Sequence, residues 1–566
     1  MPVITIDGRT IEAEAGTTVL EAALKAGIYI PHLCFIPGLE PYGGCRLCIV
    51  EIEGMRGLPA ACTTAVADGM VIRSDIPSVN HVRRVTAELL IADHDGDCLT
   101  CTANQRCEFQ QVVAHLGIDR RRFRPGTRRI TVDLTNNFFI RDTGKCVLCM
   151  RCVRVCDEVA GVGAIDLVGR GYESRIATFW DAPMAESGCE SCGMCVDACP
   201  TGALRPKEEN LPPAETIRTV CPYCGCGCGL VLGTRSGKIV QVRGDKRNPV
   251  NRGQLCVKGR FGLQFVHSWE RLTSPLIRRN GKLEPATWDE ALSLAAKRFT
   301  EIKTAHGPDA LAGIASAKCT NEENYLFQKF IRACFGTNNV DHCARLCHAS
   351  TVAGLTLAFG SGAMTNSIAE LEDADCILVT GSNTTEAHPI IALRIKAAVT
   401  KRGACLIVAD PRRIPLVRFA RLHLRQRCGT DVMLFNAMMN VIVTEGLQDH
   451  KFIAERTEGF TEAWEVIRHC TPEAAAPVTG VPAEEIREAA RLFAHAKQAA
   501  IVYSMGITQH TTGTDNVLAL ANLSMLTGNV GRRSTGLYPL RGQNNVQGAC
   551  DMGALPNVFP GYQRVD

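Results

Sequence analysis

Cysteine dominates the chemistry available to this sequence. The run CPYCGCGC places Cys221, Cys224 and Cys228 as C-x2-C-x3-C, and Cys256 follows in QLCVKGRFG. A loop this short can aim three thiolates at one point and take a fourth from a distance, which is what an iron–sulfur cluster needs. A C-x2-C pair alone would suit zinc or a redox dithiol, but the added C-x3-C and the cysteine groups upstream favour a cluster. Further on, CARLCHAS sets His348 beside Cys347. A soft thiolate with an adjacent imidazole suits a second, chemically active metal.

The front of the chain carries more such groups. Cys34, Cys45, Cys48 and Cys62 are spaced C-x10-C-x2-C-x13-C, with two glycines before the central pair. They sit among strand-like stretches, Ile4 to Glu14 and Val50 to Glu53, and a helical stretch, Thr18 to Ala26. This arrangement resembles the plant-type ferredoxin domain that opens the large iron–sulfur subunit of respiratory complex I, and implies a two-iron cluster. His94, Cys98, Cys101 and Cys107, as H-x3-C-x2-C-x5-C, are also similar to complex I, where the pattern binds a four-iron cluster with one imidazole ligand.

An internal repeat follows. Cys146, Cys149, Cys152 and Cys156 form one C-x2-C-x2-C-x3-C copy, and Cys189, Cys192, Cys195 and Cys199 form the other. In such repeats each copy gives its last sulfur to the other cluster. One set is therefore Cys146, Cys149, Cys152 and Cys199, the other Cys189, Cys192, Cys195 and Cys156. Asp157 stands where the second copy has Pro200, a change expected to alter the turn and not the ligands. With the Cys221 site, the chain has one 2Fe-2S and four 4Fe-4S positions, using nineteen cysteines and His94.

The totals agree with an electron-transfer protein. A length of 566 residues with 46% apolar content allows about four domains of roughly 100–200 residues. A net charge of +4 gives little reason for a nucleic-acid partner. The basic stretch from Arg120 to Ile130 is interrupted by proline and glycine and reads as an exposed connection. No apolar run approaches the ~18 residues of a membrane span, and the front lacks a signal peptide. Twenty-nine cysteines without an export signal point to metal ligation in a reducing compartment, the cytoplasm, and not to disulfides.

From Pro275 onward the composition is that of an α/β enzyme. TWDEALSLAAKRFTEIKTAHG opens at Thr287 with a Thr-x-x-Glu capping pattern and keeps helical spacing. ADCILVTGSN and ACLIVADPRR read as short apolar strands running into polar loops that carry Asn383, Glu386, Asp410 and Arg412. Loops at the carboxyl ends of parallel strands bind nucleotides, although the same residues also suit turns.

In order, CPYCGCGC, LCVKGRFG, NNVDHCARLCHAS, GSNTTEAHP, IVADPRR, CGTD, SMGITQH and PLRGQNNVQGACDMG make the chain resemble the catalytic subunit of molybdenum- or tungsten-dependent formate dehydrogenase. The front half matches the extension of the cytoplasmic, NAD-linked members. The resemblance implies a multidomain α+β and α/β fold, with ferredoxin-like iron–sulfur domains followed by α/β bis-pyranopterin-binding domains. It divides the chain at 1–78 (two-iron), 79–137 (four-iron, held by one histidine and three cysteines), 138–214 (two-cluster), 215–274 (four-iron), 275–342 and 343–543 (dinucleotide-binding, the second with the metal ligand), and 544–566, the start of a continuation.

The resemblance further implies that Cys347 ligates molybdenum or tungsten between two molybdopterin guanine dinucleotides. His348 is then the acid–base or charge-stabilising neighbour, Arg541 the substrate clamp, and Lys258 the residue between cluster and pterin. Gly381, Asn383, Glu386, Asp410, Arg412, Gly429, Asp431, Met505, Gly506, Gln509 and Gln543 fall in the dinucleotide-binding motifs. Cys343 could be a structural partner four residues before Cys347, while Cys226, Cys319, Cys334, Cys376, Cys405, Cys428, Cys470 and Cys550 read as small core residues.

The implied reaction is oxidation of formate to CO2, reversibly, with electrons leaving past Lys258 and the clusters to flavin- and NAD-binding iron–sulfur diaphorase subunits. No convincing G-x-G-x-x-G fingerprint is present in the chain itself. Relatives continue beyond the equivalent of Asp566, so a further segment or a separate polypeptide would complete the C-terminal domains. Two alternatives remain, an electron-wiring subunit of a complex-I-like assembly and a nitrate reductase. Cys347, His348 and Arg541 argue against the first, and His348 with the RGQNN segment fits formate chemistry better than the second.

Overall fold

The computed structural model describes residues 1–124, 130–208 and 212–565. The centre of the basic stretch from Arg120 to Ile130, and the terminal Asp566, lie outside the described residues. The chain forms two compact units: Met1–Ile217 with Val231–Arg243 and Leu255–Phe261, and Arg218–Leu230 with Gly244–Gln254 and Gly262–Asp566.

The first unit opens with a four-stranded sheet. Strands Val3–Ile6 and Arg9–Glu12 pair antiparallel around Asp7 and Gly8, whose φ values of 48° and 78° are those of a tight hairpin turn. That turn divides the stretch from Ile4 to Glu14 that the sequence presents as one. Val71–Arg73 runs parallel to the first strand and antiparallel to Glu51–Ile52. Helix Val19–Lys25 begins with a capping box, the Thr18 hydroxyl accepting the Glu21 amide and the Glu21 carboxylate accepting the Thr18 amide. Ile4, Ile6, Val19, Leu20 and Ile72 close the core beneath it.

Helix Pro77–Asp93 is fastened to this sheet by the buried Arg83, whose guanidinium donates to the carbonyls of Ser74 and Ile49 at 2.7 Å each. The two-cluster region that follows shows its internal repeat in the backbone. Leu148 and Met150 have φ of 52° and 62°, and Ser191 and Gly193, at the equivalent places, 54° and 71°. Each loop therefore curls so that an amide faces a sulfur: Leu148 N–H lies 3.4 Å from Cys146 Sγ and Ser191 N–H 3.3 Å from Cys189 Sγ. The copies then diverge. Cys156 lies in a π-helical turn, Val155–Val159, whereas helix Met194–Ala198 stops at Cys199 and Pro200 prevents its continuation.

The second unit is built on a five-stranded, wholly parallel sheet in the order Leu422–Leu424, Cys405–Ala409, Cys376–Thr380, Ala499–Tyr503, Gly536–Pro539. Both apolar strands read from the sequence are present and almost wholly buried, as expected of parallel strands covered on two faces. Chain order runs outward in one direction from Cys376–Thr380 and in the other from Ala499–Tyr503. The crevice at the carboxyl ends of these two strands is the topological switch point, where open α/β sheets bind ligands. Helices Asp431–Thr444, Ala483–Ala494 and Gly513–Leu526 pack on the sheet through Leu434, Phe493 and Leu520. Helix Trp288–His306 starts from the expected Thr287–Glu290 capping box, with Trp288 and Leu292 exposed.

Candidate functional site

Two glycines shape the switch-point crevice. The Gly506 amide donates to the Gly381 carbonyl at 3.0 Å. A Cβ on Gly381 would stand 2.7 Å from the Gly506 carbonyl carbon, and one on Gly506 would stand 2.6 Å from the Gly381 oxygen. Gly381 also has φ of 55°, so neither contact nor conformation admits a side chain. Around them lie the other sequence-selected residues. Asn383 precedes the turn Thr384–Ala387, in which Glu386 is exposed. Buried Asp410 accepts the Arg412 amide at 2.9 Å and faces the exposed Arg412 guanidinium at 3.5 Å. Gly429 lies in the loop before Asp431, whose carboxylate is buried, raised above its ordinary pKa by that burial, and bonded by Gln426 at 3.2 Å. Met505 begins the short helix Met505–Thr508 that also holds Gly506.

Cys347 lies at the end of the 3-10 turn Cys343–Leu346, 8% exposed. Its backbone carbonyl accepts the Thr508 hydroxyl at 2.6 Å, and Gln509 Nε2 reaches the Leu346 carbonyl at 2.5 Å. Burial pushes the thiol pKa up, opposed by the Gly542 amide and the Arg541 charge. The structure thus brings Cys347 to the Arg541–Gly542 segment, almost two hundred positions later in the chain. Cys343 Sγ meets Gln543 Oε1 at 2.5 Å, so Gln543 contacts the turn that carries the metal-ligand candidate.

Arg541 is the unusual group here. Its Nη2 donates to the Gly362 carbonyl at 2.8 Å, while Nη1 is buried without a hydrogen-bond partner among the described residues. Burial lowers its pKa from the ordinary arginine value. A buried guanidinium nitrogen with a vacant donor direction beside a thiol is a cradle for an anion.

His348 is fully buried, with Nδ1 3.0 Å from the Thr351 hydroxyl and Nε2 2.9 Å from the Leu540 carbonyl. A carbonyl can only accept, so Nε2 carries the proton and Nδ1 accepts from Thr351. Burial, then the Arg541 charge, brings its pKa down to about 3. Both nitrogens are thereby engaged by the protein.

Two further contacts hold the Arg541 backbone, both between segments far apart in the sequence. His388 Nε2 donates to the Arg541 carbonyl at 2.7 Å, and the Gly225 amide donates to the same oxygen at 2.9 Å. His388 was visible within GSNTTEAHP. Gly225 carried no signal beyond its place among cluster cysteines.

Cys34 is hydrogen-bonded by Cys45 and Cys62, which holds its thiol well below the ordinary value, and Cys48 is bonded by Cys62. Four thiols this close cannot titrate independently, which fits a shared metal cluster. His94, Cys98, Cys101 and Cys107 line one cavity of about 410 Å³. A Cβ on Gly202 would stand 2.6 Å from Cys101 Sγ, so glycine is needed at that wall. Cys146, Cys149, Cys152 and Cys199 line a second cavity, and the thiols of Cys189, Cys192 and Cys195 are raised chiefly by burial, with Cys156 a smaller contributor to each.

Cys221, Cys224 and Cys228 share one turn, closed by the Cys221 amide on the Cys228 carbonyl at 2.9 Å. Buried Cys226 is bonded by Cys224 and Cys228, which raises its thiol pKa strongly and keeps it protonated between two ligand candidates. Cys256 precedes helix Val257–Phe261 in the first unit, where Lys258 is exposed. Of the cysteines read as small core residues, Cys376 and Cys550 are buried but Cys334 and Cys428 are exposed.

The sequence model of the molybdopterin oxidoreductase family matches residues 271–565, and that of its Fe4S4 domain 214–268. Upstream, a 2Fe-2S iron-sulfur cluster binding domain matches 3–77, an NADH-ubiquinone oxidoreductase-G iron-sulfur binding region 83–122, and the ferredoxin-like domain of NADH-quinone oxidoreductase subunit 3 138–205. The chain is 36% identical to the Bacillus subtilis protein named "Probable oxidoreductase YjgC", over 99% of this chain and 61% of that one. It is 52% identical to the F420-dependent formate dehydrogenase subunit alpha of Methanocaldococcus jannaschii, over 62% of this chain and 51% of the relative. The chain thus spans about half to three-fifths of the length of these relatives. Acetylene hydratase from Pelobacter acetylenicus is similar in structure, with TM-score 0.50 and 26% identity, covering 55% of this chain and 43% of that one. No helix among the described residues is long and apolar enough to cross a membrane.

Proposed function

This chain belongs to the molybdopterin oxidoreductase family, and we propose that it is the catalytic subunit of a formate dehydrogenase, converting formate to CO2 with release of a proton and two electrons. The observation that carries this reading is the buried, unpartnered Nη1 of Arg541 beside the Cys347 thiol. Formate is a carboxylate with a single C–H bond, and a guanidinium is the side chain that best grips and orients a carboxylate. Gly362 fixes one nitrogen of the fork and leaves the other for the substrate.

Cys347 would hold molybdenum or tungsten. The switch-point crevice beside the paired Gly381 and Gly506, with Asn383, Glu386, Asp410, Arg412, Gly429, Asp431, Met505, Gln509 and Gln543, would receive molybdopterin guanine dinucleotides. The close glycine contact supports this use, because a side chain at either position would push the two loops that border the crevice apart. A bound metal pterin supplies two-electron acceptance. His348 acts as a positioning residue and not as a proton carrier, because its Nε2–H is spent on Leu540, the residue before Arg541. Burial keeps water from Nη1 and strengthens its hold on an anion.

Five clusters, one 2Fe-2S and four 4Fe-4S, would carry electrons onward past Lys258. The complex-I-like front domains support a flavin-containing partner and NAD as the acceptor, in the cytoplasm. The archaeal relatives are named F420-dependent, so the reading of NAD as acceptor rests on the front domains and not on those relatives. The test is dye-linked turnover of the native complex with formate and with nitrate, alongside elemental analysis. Formate-dependent dye reduction is expected; dye oxidation by nitrate without formate activity would overturn the assignment.

A further inference from the structure

Away from the candidate active site, the amino ends of two neighbouring strands hold a pair of thiols. Cys376 and Cys405 are the first residues of Cys376–Thr380 and Cys405–Ala409, and they are direct register partners in a parallel pair. Both side chains therefore leave the same face of the sheet, on strands about 4.8 Å apart, inside the roughly 4.4–6.8 Å Cα separation that a disulfide spans. The loops that shape the crevice leave the opposite, carboxyl ends of these strands.

The two thiols differ in access. Cys376 is 1% exposed, whereas Cys405 is half-buried, and both line a pocket of roughly 400 Å³ together with Glu488, Arg491 and His495. Arg421 lies 3.6 Å from Glu488 and adds positive charge near Cys405. The hydrogen bond from Cys376, and then Arg421, hold the Cys405 thiol below its ordinary value against burial and the Glu488 charge, while the same hydrogen bond and burial push Cys376 well above its own. An accessible sulfur inclined to be a thiolate, backed by a buried protonated one, matches an attacking and a resolving cysteine.

We propose that Cys376 and Cys405 form a reversible redox site that reacts with low-molecular-weight disulfides entering through this pocket. The Cys405 thiolate attacks one sulfur of the disulfide, breaking its S–S bond, forming a mixed disulfide and releasing one thiolate. Cys376 then loses its proton to solvent and attacks Cys405 Sγ, expelling the second thiolate and closing the Cys376–Cys405 bond. Two protein thiols are oxidised and one small disulfide is reduced to two thiols, so electrons balance without the metal centre.

The test uses the native, cluster-loaded complex incubated with oxidised glutathione, alkylated and mapped by mass spectrometry without reduction. Exposed Cys334 and Cys428 report that the reagent is competent. A linked peptide pair joining Cys376 to Cys405 is expected in the wild type, reversed by dithiothreitol. Cys376→Ser should stop at a glutathione adduct on Cys405, and Cys405→Ser should leave Cys376 unmodified. Adducts on Cys334 and Cys428 with Cys405 unmodified would overturn the proposal. A lasting Cys405 adduct in the wild type that never passes to Cys376 would overturn it too.

Discussion

The Gly225 amide donates to the Arg541 carbonyl at 2.9 Å, so the turn bearing Cys221, Cys224 and Cys228 is hydrogen-bonded to the residue proposed to grip the substrate. His388 donates to the same oxygen at 2.7 Å. The carbonyl is thereby saturated, and the backbone that aims the Arg541 side chain is fixed from two sides. On the proposed function, an electron leaving the substrate would meet the cluster loop one hydrogen bond from Arg541.

Gly225→Ala tests that junction. The new Cβ would stand 2.6 Å from Arg541 Cβ and 2.7 Å from its carbonyl oxygen, so one backbone must retreat. Overpacking of this kind costs about 1–3 kcal/mol. We expect formate kcat/KM to fall by roughly tenfold or more, a factor that about 1.4 kcal/mol already produces, together with a shifted signal from the Cys221 cluster in electron paramagnetic resonance. Unchanged kinetics and an unchanged spectrum would show that the two sites are mechanically independent.

Arg541→Lys keeps the charge and removes the fork. A lysine cannot hold the Gly362 carbonyl and a carboxylate in one plane, so KM for formate should rise and kcat fall, by roughly tenfold or more in kcat/KM. Steady-state kinetics with the dye acceptor check this. The cluster spectra should be unaltered, which separates loss of the clamp from loss of fold.

The sequence made the cluster ligands legible because cysteines that share a metal loop are close along the chain, and their spacing is itself the geometry. The strands Cys376–Thr380 and Cys405–Ala409 were legible for a similar local reason, as apolar runs ending in turn residues. What stayed hidden was contact at long range. Nothing in the sequence reports that Gly225 touches Arg541, that Cys376 registers with Cys405, or that the Leu540 carbonyl occupies His348. Each depends on how distant segments pack. The Asp7-Gly8 turn was the exception, a local signal that was overrun by the β-branched residues on either side.

Gly381→Ala should empty the crevice. Its φ of 55° penalises any side chain, and the Cβ would meet the Gly506 carbonyl carbon and the Ile507 amide at 2.7 Å. The strand ends must part, and the loops that would hold the dinucleotides part with them. Pterin content, measured as fluorescent oxidation products of the purified complex, should drop well below that of the wild type while iron content is retained. Full pterin content would move the binding crevice elsewhere.

Glu370 provides a pH test remote from the metal. Its carboxylate accepts from Asn366 at 2.9 Å, from the Ser367 amide and hydroxyl at 3.1 and 2.9 Å, and from the Ser534 amide at 3.0 Å. It thus ties the turn before Cys376–Thr380 to the turn before Gly536–Pro539. Partial burial disfavours its charge, but these four donors outweigh burial and bring the pKa from 4.5 to about 2. The unfolded chain therefore binds a proton more readily than the folded one between those values. The resulting stabilisation is complete above the unfolded value near 4.5 and is lost as pH falls through about 2. Glu370→Gln keeps the shape but forfeits the charge-assisted bonds, and turns one acceptor into a donor facing the Ser367 or Ser534 amide. At neutral pH a loss of about 1–3 kcal/mol is expected, seen as a lower thermal midpoint. Below pH 4.5 the gap between wild type and variant should narrow steadily, since protonation of Glu370 removes the same bonds. A gap that stayed constant across that range would mean that the carboxylate's charge contributes nothing to holding the two turns together.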